Sequence, residues 1–307
     1  MSINRIVSFL PSATELLYEL DAQDRLYGVT HECNFPDDAS KKPRVIRSVF
    51  DPENMSSKEI DQKILKLVSS GNDIYELQVE NLKKANPDLI ISQEICEVCS
   101  AYTNQVNIAM KVLGKRPEVF AMNPHDINGI LSNINEISRK IHVSNKGKKL
   151  IESLKKRIKF CKEKQVAQKP KVLAIEWIEP FYTAGHWVPE MIDIVGAKNL
   201  ISKKSEHSRK MTFDEIKNSD PDIIILMPCG FNVERTIMEY NKNLKNDPDW
   251  RNLRSVREKN VFVVDANSYF SKPSIRTITG IEILGKIIHP EIFTEIQVPS
   301  ASFRKIS

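Results

Sequence analysis

The chain has 307 residues, with 45 basic and 40 acidic side chains, a net charge of +5 and 41% hydrophobic residues. That composition excludes a disordered, collagen-like or membrane-embedded chain, and the near balance of charge excludes a nucleic-acid footprint. The length suits two domains of ordinary size, or one large α/β domain.

In chain order, residues 5–8 predict a first strand. Ser12-Ala-Thr-Glu15 has the form of a capping box, with Leu16, Leu17 and Leu20 following on a helix. Residues 26–30 predict a second strand, and residues 58–69 place Ile60, Ile64, Leu67 and Val68 on one helical face. The phrases NPDLIIS (86–92) and EVFAMNP (118–124) each contain a further strand. A helix starting at Asp126 or Asn128 carries Ile130, Ile134 and Ile137. Residues 144–165 carry Leu150, Leu154, Ile158 and Cys161 on one face, among lysines and arginines. Such a helix reads as a rigid connector, since a flexible linker is richer in Gly, Ser or Pro, and it predicts small lobe movements on ligand binding. The second half opens at residues 171–174, and its DPDIIIL (220–226) and NVFVVDAN (260–267) echo the two phrases of the first half. Short apolar runs after Pro-Asp turns suit strands buried on both faces, as in parallel sheets. The expected fold is α/β: two lobes, each with a central, mostly parallel sheet flanked by helices, joined by one long backbone helix. The predicted boundaries are 1–124 for the N-terminal lobe, 125–168 for the connecting helices and 169–307 for the C-terminal lobe.

No run reaches the ~18 apolar residues of a membrane helix. Residues 6–11 are followed by polar Ser12, Thr14 and Glu15, with neither a longer apolar region nor a cleavage site, so no signal peptide is expected. Five cysteines argue against a disulfide framework and for a reducing compartment. The expected location is therefore the cytoplasm.

The chemically loaded residues fall just after strands: His31, Glu32 and Cys33; Cys96 and Cys99; Glu176 and Trp177; Cys229; Tyr269 and Phe270. In parallel sheets the carboxyl ends of the strands share one edge, and ligands bind outside that edge. Cys33, Cys96, Cys99 and Cys229 could supply four thiolates to zinc or an iron–sulfur cluster; the alternative is packing, to which Cys161 is assigned. His31 beside Glu32 could form an acid–base pair or simply bond to nearby backbone. Trp177, Phe181, Tyr182 and Trp187, with His186 among them, could pack in a core or wall a large flat ligand. Arg276 could start the last helix or hold an anionic group. No GxGxxG, GxxxxGK[ST] or GxSxG is present, and no complete catalytic set appears.

Several phrases together resemble cobalamin-binding proteins of the periplasmic-binding-protein type. They are RIVSFLPSATELLYELDAQDRLYGVTHECNFP (5–36), SSGNDIYEL (69–77), NPDLIISQEICEVC (86–99), IEWIEPFYTAGHWVPEMIDIVGA (175–197), MPCGF (227–231), NSYFSKPSIR (267–276) and HPE (289–291). The resemblance spans nearly the whole chain. It implies two α/β lobes with a ligand cleft between them, and a corrinoid such as cobalamin, or a related metal chelate, as ligand. It implies aromatic binding walls at Tyr75, Trp177, Trp187 and Tyr269, and an ABC transporter as partner. The transport members carry signal peptides or lipid anchors, which the N-terminal reading does not supply, and the HEC, CxVC and PCGF phrases suggest a cysteine-bearing branch. Two expectations follow. One is a non-enzymatic corrinoid-binding protein; the other is a cytoplasmic zinc or iron–sulfur protein, possibly an enzyme, reusing the fold. Binding is favoured over catalysis.

Overall fold

The structure, a computed structural model, describes residues 3–94 and 101–306. It forms two compact units: one of Met1–Asn54, Gln62–Pro124 and Asn128–Ser153, the other of Met55–Asp61, His125–Ile127 and Leu154–Ser307. The first contains β1 (Ile6–Ser8), α1 (Pro11–Glu19), β2 (Leu26–Thr30), β3 (Arg44–Ser48), most of α2 (Ser57–Ser69), β4 (Tyr75–Leu77), α3 (Val79–Ala85), β5 (Leu89–Gln93), α4 (Ala101–Val112), β6 (Glu118–Met122), nearly all of α5 (Ile127–Lys140) and the first half of α6 (Ser144–Lys162). The second contains β7 (Lys171–Trp177), β8 (Tyr182–Thr183), α7 (Val188–Ile194), β9 (Lys198–Asn199), α8 (Phe213–Ser219), β10 (Ile223–Leu226), α9 (Val233–Asn243), α10 (Pro248–Asn252), α11 (Arg254–Arg257), β11 (Val261–Val264), α12 (Ala266–Tyr269), α13 (Thr277–Ile288) and β12 (Phe303–Lys305). No helix among the described residues is long and apolar enough to cross a membrane.

The first unit's sheet runs β4-β3-β2-β1-β5-β6, parallel except for the β3–β4 pair. β1 is the switch point, with β2 on one side and β5 on the other, and in such sheets ligand crevices open at the carboxyl ends. The second unit's sheet runs β12-β11-β10-β7-β8, with β9 also paired to β7; β12 and β8 are antiparallel to their neighbours. Both are the α/β arrangement expected of the sequence. The strands are near-continuous apolar runs because helices cover both faces: Leu89, Ile90 and Ile91 are buried, as are Ile223 to Leu226. In the second unit Leu173, Ile175, Ile224 and Leu226 pack with Tyr240 and Trp250; in the first, Val7, Phe9, Val45 and Ile90 pack with Leu82.

The repeated Pro-Asp phrase has one structural job in both units. Asn86 caps the end of α3 and Asp220 that of α8, each with φ of 42° in the left-handed region, which Asn and Asp tolerate better than most residues. A proline then stops the helix, and the following aspartate ties the incoming strand to its neighbour. Asp88 accepts from the backbone N–H of Asn4 (3.1 Å) and Arg5 (3.0 Å) at the start of β1; Asp222 accepts from Lys171 N–H (2.6 Å) at the start of β7.

Two local expectations fail. The capping box at Ser12 and Glu15 does not form: Pro11 occupies the first turn, Leu10 is the N-cap and no side chain caps the helix. Proline at that position needs no amide partner and moves the helix start upstream of Ser12. On α2, Ile60 is buried, yet Val68 is 55% exposed, so the apolar face does not extend to the last turn. The long helix appears as α6, ending at Lys162.

Candidate functional site

In the first unit the turn after β2 carries His31, Glu32 and Cys33. Arg44 on β3 clamps this turn from below, donating to the carbonyls of Thr30 (2.6 Å) and Cys33 (2.9 Å) and to Asn34 Oδ1 (2.9 Å). The clamp leaves the His31 ring half-buried beside Tyr75, with centroids 5.9 Å apart, while Glu32 is exposed. Tyr75 is fixed through its own carbonyl, which accepts from Gln105 Nε2 at 2.9 Å. An imidazole and a phenol ring thus sit together at the carboxyl edge of β2. Cys33 points the other way: it is buried, with its sulfur 3.2 Å from Thr14 Oγ1 and 3.3 Å from Thr30 Oγ1. That is the packing alternative, with two hydroxyls satisfying the thiol.

In the second unit Trp177 ends β7. Its indole N–H donates to the Ser57 carbonyl (3.2 Å), its ring lies 5.4 Å from that of Phe231, and the Arg235 guanidinium stacks 3.8 Å over Phe231. Phe231 belongs to the MPCGF turn after β10, where Cys229 is exposed and its N–H donates to the Glu176 carbonyl (3.0 Å). Tyr269 ends α12 and is half-buried, with the Arg276 guanidinium 5.6 Å from its ring centroid. Gly280 of α13 makes this possible: a Cβ there would fall 2.6 Å from the Tyr269 carbonyl oxygen.

Three predicted residues in this unit serve the scaffold. Trp187 is only 4% exposed and donates its indole N–H to the Phe270 carbonyl at 2.9 Å, so it offers no open face. The Glu176 carboxyl is turned inward, accepting from Gly185 N–H (3.2 Å) and Ser208 Oγ (2.9 Å); burial pushes its pKa up, against the opposing pull of those two donors. His186 stacks on Trp187 and lies near His125 and His207, two residues that carry no motif in the sequence. Cys161 on α6 is buried, and burial pushes its thiol up to about 12, as a packing residue requires.

Cys96 and Cys99 lie outside the described residues. Among the described residues no group of three or more His, Cys, Asp or Glu side chains is placed to hold a metal ion. The zinc or iron–sulfur reading of the cysteines gains nothing from Cys33, whose sulfur is enclosed by threonines.

Residues 6–268 match the family described as periplasmic binding protein. Among curated relatives, an uncharacterized ABC transporter substrate-binding lipoprotein of Bacillus subtilis (strain 168), YvrC, is 24% identical over 301 residues, covering 95% of this chain and 82% of that protein. Among solved structures, the periplasmic vitamin B12 binding protein BtuF of Vibrio cholerae superposes with a TM-score of 0.66 at 18% identity, covering 96% of this chain and 99% of that one. A periplasmic heme binding protein of Pseudomonas aeruginosa gives 0.69 at 16% identity, covering 99% and 98%. These findings overturn the cytoplasmic expectation, because the matched proteins are a lipoprotein and periplasmic proteins. The expectation rested on an odd cysteine count and on the reading of the first residues. Buried, hydroxyl-bonded or packed thiols such as Cys33 and Cys161 survive in any compartment.

Proposed function

The chain belongs to the periplasmic binding protein family, and on that premise we propose that it is the substrate-binding component of an ABC importer. It works outside the cytoplasmic membrane, and its ligand is a planar metal chelate of the corrinoid or tetrapyrrole class, cobalamin or haem. The observation that carries this reading is the pairing of flat rings with nitrogen donors at or close to strand ends. His31 and Tyr75 supply it in the first unit, and Trp177, Phe231, Tyr269 and Arg276 in the second. Aromatic faces suit a macrocycle, imidazole and phenolate are axial ligands for its metal, and a guanidinium suits the carboxylates or phosphate at its rim. Glu32, exposed beside His31, would meet amide or hydroxyl donors of the same ligand. The solved structures with the same fold bind vitamin B12 and heme, which supports the ligand class.

The test is a set of single substitutions read by visible absorption during titration with hydroxocobalamin and with haemin. Trp177→Ala and Tyr269→Ala should each weaken binding about tenfold or more, as truncated aromatic anchors do. His31→Ala should also change the spectrum of the bound metal. Wild-type affinity in all three variants would overturn the assignment.

A further inference from the structure

Three histidines in the second unit form a cluster for which the ligand reading has no use. His186 leaves β8 with φ of 54°, in the left-handed region. It is held there by backbone bonds to the segment 203–209: its N–H donates to Glu206 O (2.7 Å), and its carbonyl accepts from Ser205 N–H (2.9 Å). Thr183 N–H donates to Arg209 O (2.9 Å) in the same pairing. Gly185 allows the close approach, since a Cβ there would fall 2.5 Å from Ser208 N. The three rings meet where the two segments join: His186 and His207 lie 5.1 Å apart by centroid, His125 and His207 5.5 Å, and His125 and His186 5.9 Å. The Nδ1 atoms of His125 and His186 are buried and have no hydrogen-bond partner among the described residues.

Apart from Glu176, which bonds to Ser208 and Gly185 within this pairing and whose raised pKa favours the closed form as pH falls, the formal charges on the surrounding elements are paired with one another. Lys204 pairs with Glu190 of α7 (2.6 Å) and with Asp126 beside His125 (3.9 Å), and Lys203 with Glu206 (3.5 Å). Arg209 pairs with Glu215 (2.7 Å), Lys210 with Asp61 (4.0 Å), and Glu176 is bonded to Ser208 and Gly185. The charges that act on His186 are those of His207 and His125. We propose that His125, His186 and His207 form a proton-operated latch: neutral, the rings pack and hold segment 203–209 against residues 182–187; protonated, they repel one another and the segment opens.

Burial first, then the charges of His207 and His125, lower the pKa of His186 from 6.5 to about 4. Opening the segment returns the ring to water and to the ordinary value. The open form therefore binds more protons across that window, and the closed form loses ground as pH falls through it. With allowance for the ring's partial exposure and for the opposing Glu176 proton, the opening equilibrium should rise about tenfold between pH 7.5 and pH 5.

Hydrogen exchange of the full chain at those two pH values, corrected for intrinsic exchange, tests this directly. Peptides covering 182–210 should open about tenfold more at pH 5, while peptides from β1 and β5 should not change. His186→Asn, which tolerates the left-handed backbone but takes up no proton, should lose most of the pH response. Equal protection of the wild type at both pH values, or an undiminished response in the variant, would overturn the latch. Should the variant not fold, histidine carbon NMR of the wild type decides: the His186 ring titrating well below 6.5 supports the latch, and an ordinary His186 titration contradicts it.

Discussion

At the scale of single residues, the site divides by where each polar atom points. His31 and Tyr75 are placed by bonds made through their backbones, His31 N–H to Ile46 O and Gln105 Nε2 to Tyr75 O, with their rings side by side. Trp187 and Glu176 have their polar atoms bonded inside the protein. A sequence cannot separate these cases, because both kinds sit at or close to strand ends. Cys33 illustrates the same limit: its place after a strand left ligation and packing both open, and its two threonine neighbours lie 3 and 19 positions away. Cys33→Ser should accordingly leave ligand binding within about twofold of the wild type, since a hydroxyl can take the thiol's place between two threonines. Loss of binding measured in the same titration would restore a role for the sulfur. Glu176 carries a pH signature. Burial lifts its pKa above 4.5, so the folded state holds a proton that the unfolded state has released, and stability declines as pH rises from 4.5 through the raised value. Glu176→Gln should flatten that decline in urea melts taken across the window; an unchanged slope would place the cause elsewhere.

At the scale of elements, the central strands β5 and β10 were legible because both units use the same device. A buried apolar run is preceded by Asn-Pro-Asp or Asp-Pro-Asp, and each residue of that phrase has a separate backbone task. Asp222→Ala should cost about 1–2 kcal/mol, the effect of losing a charge-assisted bond to a backbone amide, measured by denaturant midpoint. Arg254 and Lys171 hold the neighbouring Asp220 down to about 2, so Arg254→Gln should move that carboxyl back toward its ordinary value of 3.8 in an NMR titration. Helix ends were less legible. Pro11 outranks Ser12 because the ring fixes the first helical φ and needs no donor. Val68 follows the helical period but reaches solvent, because periodicity marks a face and does not tell where its cover stops. Close backbone approaches were also invisible: Gly280 matters through the Tyr269 carbonyl, eleven residues earlier. Gly280→Ala should destabilise the chain by about 1–3 kcal/mol through overpacking and displace Tyr269.

At the scale of the whole molecule, the resemblance named the family and the doubled α/β pattern agreed with its architecture; residues 6–268 match that family. The histidine cluster stayed hidden because His125, His186 and His207 come from three distant stretches with no shared motif. The ligand class rests on ring-bearing residues at or close to strand ends in each unit, and its most direct measurement is equilibrium binding by the intact chain. Titration with hydroxocobalamin and, separately, with haemin should give saturable, one-to-one binding to at least one of them with a Kd of about 1 µM or tighter, accompanied by a shifted visible spectrum. No saturable binding of either up to about 100 µM would contradict the account.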